Sequence, residues 1–134
     1  MSRSLGVDFG TKRVGLAMSD SLGITASPLT VVARSSVVET VLDLVKEHDI
    51  GTIVVGLPTG LSGGEGMSAN EARKLADELG TATGVDVVLL DERFTSRMAD
   101  GVLVASGMKR RKRRETVDKV AAAIILQDYL DNQR

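Results

Sequence analysis

Cysteine and tryptophan are absent from the 134 residues, and the chain holds one histidine, one tyrosine and two phenylalanines. Without cysteine there is no disulfide framework, no thiolate metal site and no cysteine nucleophile. The lone His48 cannot build a histidine-rich zinc centre, and it reads as a surface residue at a helix end. An aromatic share of 2% argues against a base-stacking platform, which needs exposed rings. The core must therefore be aliphatic, and a hydrophobic content of 43% is enough to supply one. No stretch approaches the roughly 18 apolar residues of a membrane span, and no basic start followed by an apolar run marks a signal peptide. A cytoplasmic chain that folds as one domain over 1–134 is expected, with no membrane partner.

What is present is unevenly distributed. The net charge is −1, yet Lys109, Arg110, Arg111, Lys112, Arg113 and Arg114 form an unbroken basic run. Outside it, 11 basic residues face 18 acidic ones. Positive charge is thus focused in one segment.

Hydrophobic patterning gives an α/β order. Leu5–Phe9 and Val14–Met18 read as short strands joined by the turn-like Gly10-Thr11-Lys12-Arg13, which suggests an antiparallel hairpin. A third strand is expected over Leu29–Ala33, after the Pro28 break. Ser35 or Ser36 caps a helix to about Asp49, with Val37, Val38, Val41, Leu42 and Val45 on one face. Thr52–Gly56 is a short β-branched strand. The segment from Leu57 to Gly66, rich in glycine, is a loop. A helix over about Ser68–Thr83 points Ala72, Leu75, Ala76 and Leu79 inward, and Val85–Leu90 is another buried strand. Thr95 to about Ser106 is helical, although Gly101 weakens it. The basic run reads as a mobile loop, and a last helix runs from about Thr116 to Asp131, packing Val117, Val120, Ala121, Ile124 and Ile125. Strands alternating with helices imply parallel pairing, while the opening meander is antiparallel. The expected fold is a mixed sheet covered by helices.

Three carboxylates stand out. Asp8 lies inside a strand with apolar neighbours on both sides, where an acid is disfavoured by propensity and costly to bury unless paired or bound to a cation. Asp91 and Glu92 close a strand at its carboxyl end, where open α/β sheets place their sites. Either could also be a solvated strand-end charge. Asp118 falls in the first turn of the last helix, where an acid also serves the helix dipole. Should such carboxylates converge, with no histidine or cysteine among them, they form a hard oxygen site suited to Mg²⁺ or Mn²⁺. Such ions activate water and stabilise the leaving oxygen in phosphodiester hydrolysis.

Four blocks then carry a resemblance. Gly6-Val7-Asp8-Phe9-Gly10-Thr11-Lys12-Arg13-Val14-Gly15, Gly56-Leu57-Pro58 with Gly63 and Glu65-Gly66, Asp91-Glu92-Arg93-Phe94-Thr95-Ser96, and Asp118-Lys119-Val120-Ala121-Ala122 with Ile125-Leu126-Gln127 resemble the YqgF/RuvX family, in its order and over nearly the whole chain. The resemblance implies an RNase H-like fold with a five-stranded mixed sheet in the order 3-2-1-4-5. It implies a metal-dependent nuclease that matures the 5′ end of pre-16S ribosomal RNA or resolves Holliday junctions. It assigns the metal-binding, catalytic roles to Asp8, Glu92 and Asp118, and prefers Glu92 over Asp91. The Thr59-Gly60-Leu61-Ser62 stretch departs from the family's more polar loop.

The run of Lys109, Arg110, Arg111, Lys112, Arg113 and Arg114 is expected to hold nucleic-acid phosphates, with Lys12, Arg13 and Arg93 as further contacts. Structured RNA is favoured over branched DNA as the partner. A resolvase would instead act as a symmetric homodimer cutting two strands, and a non-catalytic nucleic-acid-binding module would need only the basic run. Asp8-Phe9-Gly10-Thr11-Lys12 also resembles the first phosphate loop of the actin- and sugar-kinase-like ATPases, but 134 residues cannot hold the two such domains that close over ATP. Asp20, after the second strand, reads as a turn-capping residue in preference to a ligand.

Overall fold

The computed structural model describes residues 2–9, 13–57, 69–91 and 110–133. The side chains of 57, 69, 91 and 110–118 are not among those described.

Five strands form one sheet: β1 (Arg3–Phe9), β2 (Arg13–Ser19), β3 (Ala26–Ala33), β4 (Ile50–Leu57) and β5 (Asp86–Asp91). Their order is β3-β2-β1-β4-β5. The pairs β1–β2 and β2–β3 are antiparallel, while β1–β4 and β4–β5 are parallel. This is the expected mixed sheet with its antiparallel opening meander. The described helices are α1 (Val37–His48), α2 (Ala69–Thr83) and α3 (Arg110–Asn132).

The sheet is buried on two faces, so its inner strands are apolar almost throughout. Alternation divides their side chains between two cores. Leu5, Val7, Phe9, Val14, Leu16, Ile53 and Val55 pack with Val37 and Val41 of α1 and Ala72, Ala76 and Leu79 of α2. On the opposite face Ala17 and Val54 pack with Ala122, Ala123, Ile125, Leu126 and Leu130 of α3. The second core has three alanines among its buried residues, and α3 lies close. A β-carbon placed on Gly6 would sit 2.8 Å from the Ala122 carbonyl oxygen and 2.8 Å from Leu126 Cβ. Only glycine fits there.

Several features differ from expectation. β3 starts at Ala26 and contains Pro28. It is an edge strand, so the missing N–H need not face a partner, and the register shifts between Leu16 and Ala17 where Pro28 pairs. A 3₁₀ turn over Arg34–Ser36 precedes α1, leaving Ser36 at ψ 0° without a side-chain cap bond. On α1, Leu44 packs against the core with Val38 and Val45 in place of Leu42. Finally, α3 begins at Arg110, so Arg110–Arg114 is helix and not loop. Arginine and lysine are good helix formers, and no glycine or proline interrupts 110–132. Thr95–Ser106 lies outside the described residues.

Two helix ends use left-handed residues. Asp49 closes α1 at φ 53°, and its carbonyl accepts the Arg3 N–H at 3.0 Å. Gly84 follows α2 at φ 71°, with its N–H on the Gly80 carbonyl at 2.9 Å, a conformation glycine takes without a β-carbon penalty.

Candidate active site

Asp8 is the next-to-last residue of β1 and is 7% exposed. Strand parity puts it with Gly6 on the α3 face, opposite Gly15 of β2. β1 is followed in sequence by a hairpin to one side of the sheet, and β4 returns on the other. The carboxyl ends of β1 and β4 therefore flank the topological switch point where α/β sheets bind ligands. An acid buried at that position has a functional rationale that its strand does not supply.

The register also sorts the apolar residues of β5. Val7 pairs with Val55, which pairs with Leu89. Leu90 packs in the α3 core and Val87 in the α1/α2 core. Asp91 is the last residue of β5, paired with Leu57. Glu92 lies outside the described residues, as do Lys12, Arg93 and Lys109.

Asp118 lies on α3 one turn before Ala122, which with Leu126 covers Gly6. The direction of α3 is set by its far end. There the Gln127 side chain bonds the backbone of Ile24 and Ala26, and Ala26 pairs with Ser19, at the end of β2 remote from Gly15. Moving back from Ala122 to Asp118 covers about 6 Å along the helix. Moving from Gly6 to Asp8 covers about 6.6 Å along the strand in the same sense. Positions 8 and 118 thus share one end of the helix–sheet interface. Among the described residues no three His, Asp or Glu side chains gather as a metal centre.

Arg13 opens β2 with the parity of Gly15 and Ala17, which assigns it to the face and sheet end of Asp8. Arg110–Arg114 occupy the first turn and a half of α3, whose first turn carries no acid. His48 is the last residue of α1 and is partly exposed, as expected of a surface residue.

Asp20 caps a turn, as its sequence position suggested. Its Oδ1 accepts the Ile24 N–H at 2.8 Å and the Thr25 N–H at 3.3 Å. The Ile24 bond is the main cause that holds this carboxyl below its ordinary value near 3.8, with Thr25, Gly23 and Arg3 acting in the same direction. A carboxylate depressed on folding stabilises above the unfolded value, and the contribution is lost as pH falls through the folded one. Asp20→Ala is accordingly expected to lower Tm at pH 7, with the gap to wild type closing below about pH 4 in a thermal-denaturation series.

Two residues of this region escaped the sequence reading except as letters of a motif. Gly6 is legible only as a small residue in an apolar strand, and Gln127 as a polar residue within an apolar helix stripe.

A family model described as "RuvX: Holliday junction resolvase" matches residues 2–132. The chain belongs to the RuvX family. RuvX relatives named as candidate pre-16S rRNA nucleases include one from Halalkalibacterium halodurans, 42% identical over 137 residues and covering 98% of both chains. Another, from an Anaeromyxobacter species, is 44% identical over 134 residues with the same coverage. Among solved structures, Thermus thermophilus RuvC in complex with a Holliday junction substrate aligns at TM-score 0.60 and 16% identity, over 99% of this chain and 96% of that one. A fowlpox virus resolvase complexed with Holliday junction DNA gives 0.59 and 14%, over 98% of each. At such identities the likeness is one of fold. The RuvX chain shares the RuvC-like, RNase H-like architecture that the four sequence blocks implied.

Proposed function

We propose that this chain is a nuclease, one domain over 1–134, that hydrolyses phosphodiester bonds in precursor 16S ribosomal RNA to form its 5′ end in the cytoplasm. The observation that carries the proposal is the burial of Asp8 at the switch point, on the face that α3 brings Asp118 toward. Near full-length identity above 40% to relatives named for that activity supports the substrate.

Asp8, Glu92 and Asp118 are the catalytic carboxylates of this reading. The resemblance of Asp91-Glu92-Arg93-Phe94-Thr95-Ser96 to the family motif supports Glu92 over Asp91. The donor set is all oxygen, a hard set that fits Mg²⁺ or Mn²⁺, and these residues would hold it. Such an ion supplies Lewis-acid charge to the scissile phosphate. The chain's own part is to fix the carboxylates on a rigid strand and helix and to hold the substrate. In the reaction the oxygen of water bonds to phosphorus, the bond to the leaving strand breaks, and the proton ends on the leaving oxygen.

Arg13 and the basic run bind the phosphates around that point, with Lys12 and Arg93 as further contacts. Cations at a helix N-terminus oppose its dipole, by about 0.3–1 kcal/mol each. Nucleic-acid phosphates beside Arg110–Arg114 would relieve that conflict. Replacing Lys109, Arg110, Arg111, Lys112, Arg113 and Arg114 with glutamine is expected to weaken RNA binding at 0.1 M salt by more than tenfold. The slope of log affinity against log salt should flatten by about 0.7–0.9 per lost phosphate contact. Filter binding across a salt series measures both, and an unchanged slope would remove the run from the interface.

The family description favours a second reading, resolution of Holliday junctions. Incubation with Mn²⁺ and either precursor 16S RNA or a four-way DNA junction separates the two. Conversion of the precursor to its mature 5′ end, with the junction intact, is expected. Paired cuts in the junction by a homodimer, with the RNA untouched, would reverse the assignment.

A further inference from the structure

We propose that Gln127 is a positioning residue: its amide sets where α3 sits along the sheet, and so where Asp118 stands relative to Asp8. The inference rests on the nuclease reading above.

Gln127 Oε1 accepts the Ala26 N–H at 2.9 Å, and Nε2 donates to the Ile24 carbonyl at 2.8 Å and to Asp131 at 3.0 Å. The amide spans residues 24 and 26 as a neighbouring strand residue would in a parallel ladder. Turned over, it would set its NH₂ against an N–H and its oxygen against a carbonyl, so the orientation is determined. The segment it grips is fixed from the other side, since Asp20 Oδ1 accepts the Ile24 and Thr25 N–H groups. The clamp therefore joins a rigid helix to a rigid turn.

Axial position needs such a device here. Toward Asp118 the described interface is Ala122 and Ala123 of α3 over Gly6 and Ala17. Small side chains bring the helix close but raise only shallow ridges against sliding. Gln127 is nine residues beyond Asp118, about 13.5 Å along the same helix, and a stiff helix passes any slip at one end to the other. The clamp is remote from the reacting atoms and acts through Asp118.

The test compares Gln127→Met, which keeps the volume and loses every polar bond, with Gln127→Glu, which still accepts from Ala26 but no longer donates to Ile24. Thr83→Ala serves as a control in the opposite layer. It breaks bonds of Thr83 Oγ1 to the Leu79 carbonyl at 2.7 Å and the Val85 N–H at 3.2 Å. Calorimetric titration with Mn²⁺ alone is expected to show binding weakened about tenfold in Gln127→Met, the lower end of what loss of a supporting partner does to a metal site. Gln127→Glu should recover part of that loss, while Thr83→Ala binds as wild type despite a lowered Tm. Should Gln127→Met fail to fold, the Gln127→Glu deficit against Thr83→Ala decides alone. Wild-type affinity in both Gln127 variants, or equal weakening in Thr83→Ala, overturns the positioning role and leaves the nuclease reading standing. Absence of Mn²⁺ binding by the wild-type protein overturns the metal-site reading and the positioning role with it.

Discussion

Asp8→Asn is expected to slow Mn²⁺-dependent cleavage of precursor 16S RNA by roughly 10³-fold and to leave the protein folded. The rate loss equals about 4 kcal/mol of transition-state stabilisation, within the several kcal/mol that a bound divalent ion contributes to developing phosphoryl charge. Stability should move differently. Asp8 is 7% exposed, and an ionised carboxylate at that depth opposes folding unless its charge is balanced. Asparagine keeps the side-chain volume, so the metal-free variant should remain folded, with a Tm change small beside the Mn²⁺ effect. With Mn²⁺ at a hundred times its Kd, wild type gains about 2.7 kcal/mol by mass action, whereas the variant gains nothing. Thermal unfolding with and without Mn²⁺, run beside the cleavage assay, reads both effects. Undiminished cleavage by Asp8→Asn would remove Asp8 from the catalytic set. A fall in Tm without metal, and no rise with it in wild type, would make Asp8 a structural residue of the sheet.

The inner strands were legible because burial on two faces demands apolar, β-branched runs, and Thr52–Gly56 admits little else; Val85–Leu90 read as a buried strand on the same signal, yet β5 is an edge strand with Leu89 exposed. Helix α2 was legible to the residue in its inward stripe, since Ala72, Leu75, Ala76 and Leu79 repeat at helical spacing. Failures came where two local signals competed. Pro28 reads as a break, yet an edge strand tolerates it. The basic run reads as a solvated loop, yet its helix propensity carries α3 back to Arg110. In the candidate site, Asp8 was visible as a charge its strand does not explain. Glu92 and Asp91 could not be told apart by composition, because two adjacent acids at a strand end carry the same chemistry, and only the family motif separates them. The relation of Asp118 to Asp8 was equally hidden. It depends on which way α3 crosses the sheet, and that is decided by Gln127 and residues 24–26, about a hundred positions apart in sequence.

Two glycine-to-alanine changes should act with opposite sign. In Gly6→Ala the new β-carbon would stand 2.8 Å from the Ala122 carbonyl oxygen and from Leu126 Cβ. The first of these is backbone within a helix, so no rotamer change relieves the clash, and α3 itself must shift. Overpacking of this kind costs about 1–3 kcal/mol, a Tm loss of several degrees for a chain of this size. The functional loss should exceed the stability loss. The shift occurs one turn from Asp118 and two residues from Asp8, and misplacing a reacting group by about 1 Å costs roughly 10²-fold in rate. Gly80→Ala, on α2 in the opposite layer, introduces the same methyl group where its nearest neighbour is Val87 Cγ2 at 3.4 Å, a side-chain contact of ordinary length. There alanine's helix propensity should dominate, raising stability by about 0.5–1 kcal/mol with cleavage unchanged. Guanidinium unfolding and cleavage rates measured together on both variants test the point. Equal, small effects at the two sites would mean that α3 tolerates displacement from β1, and that the close approach at Gly6 does not hold the two acids in place.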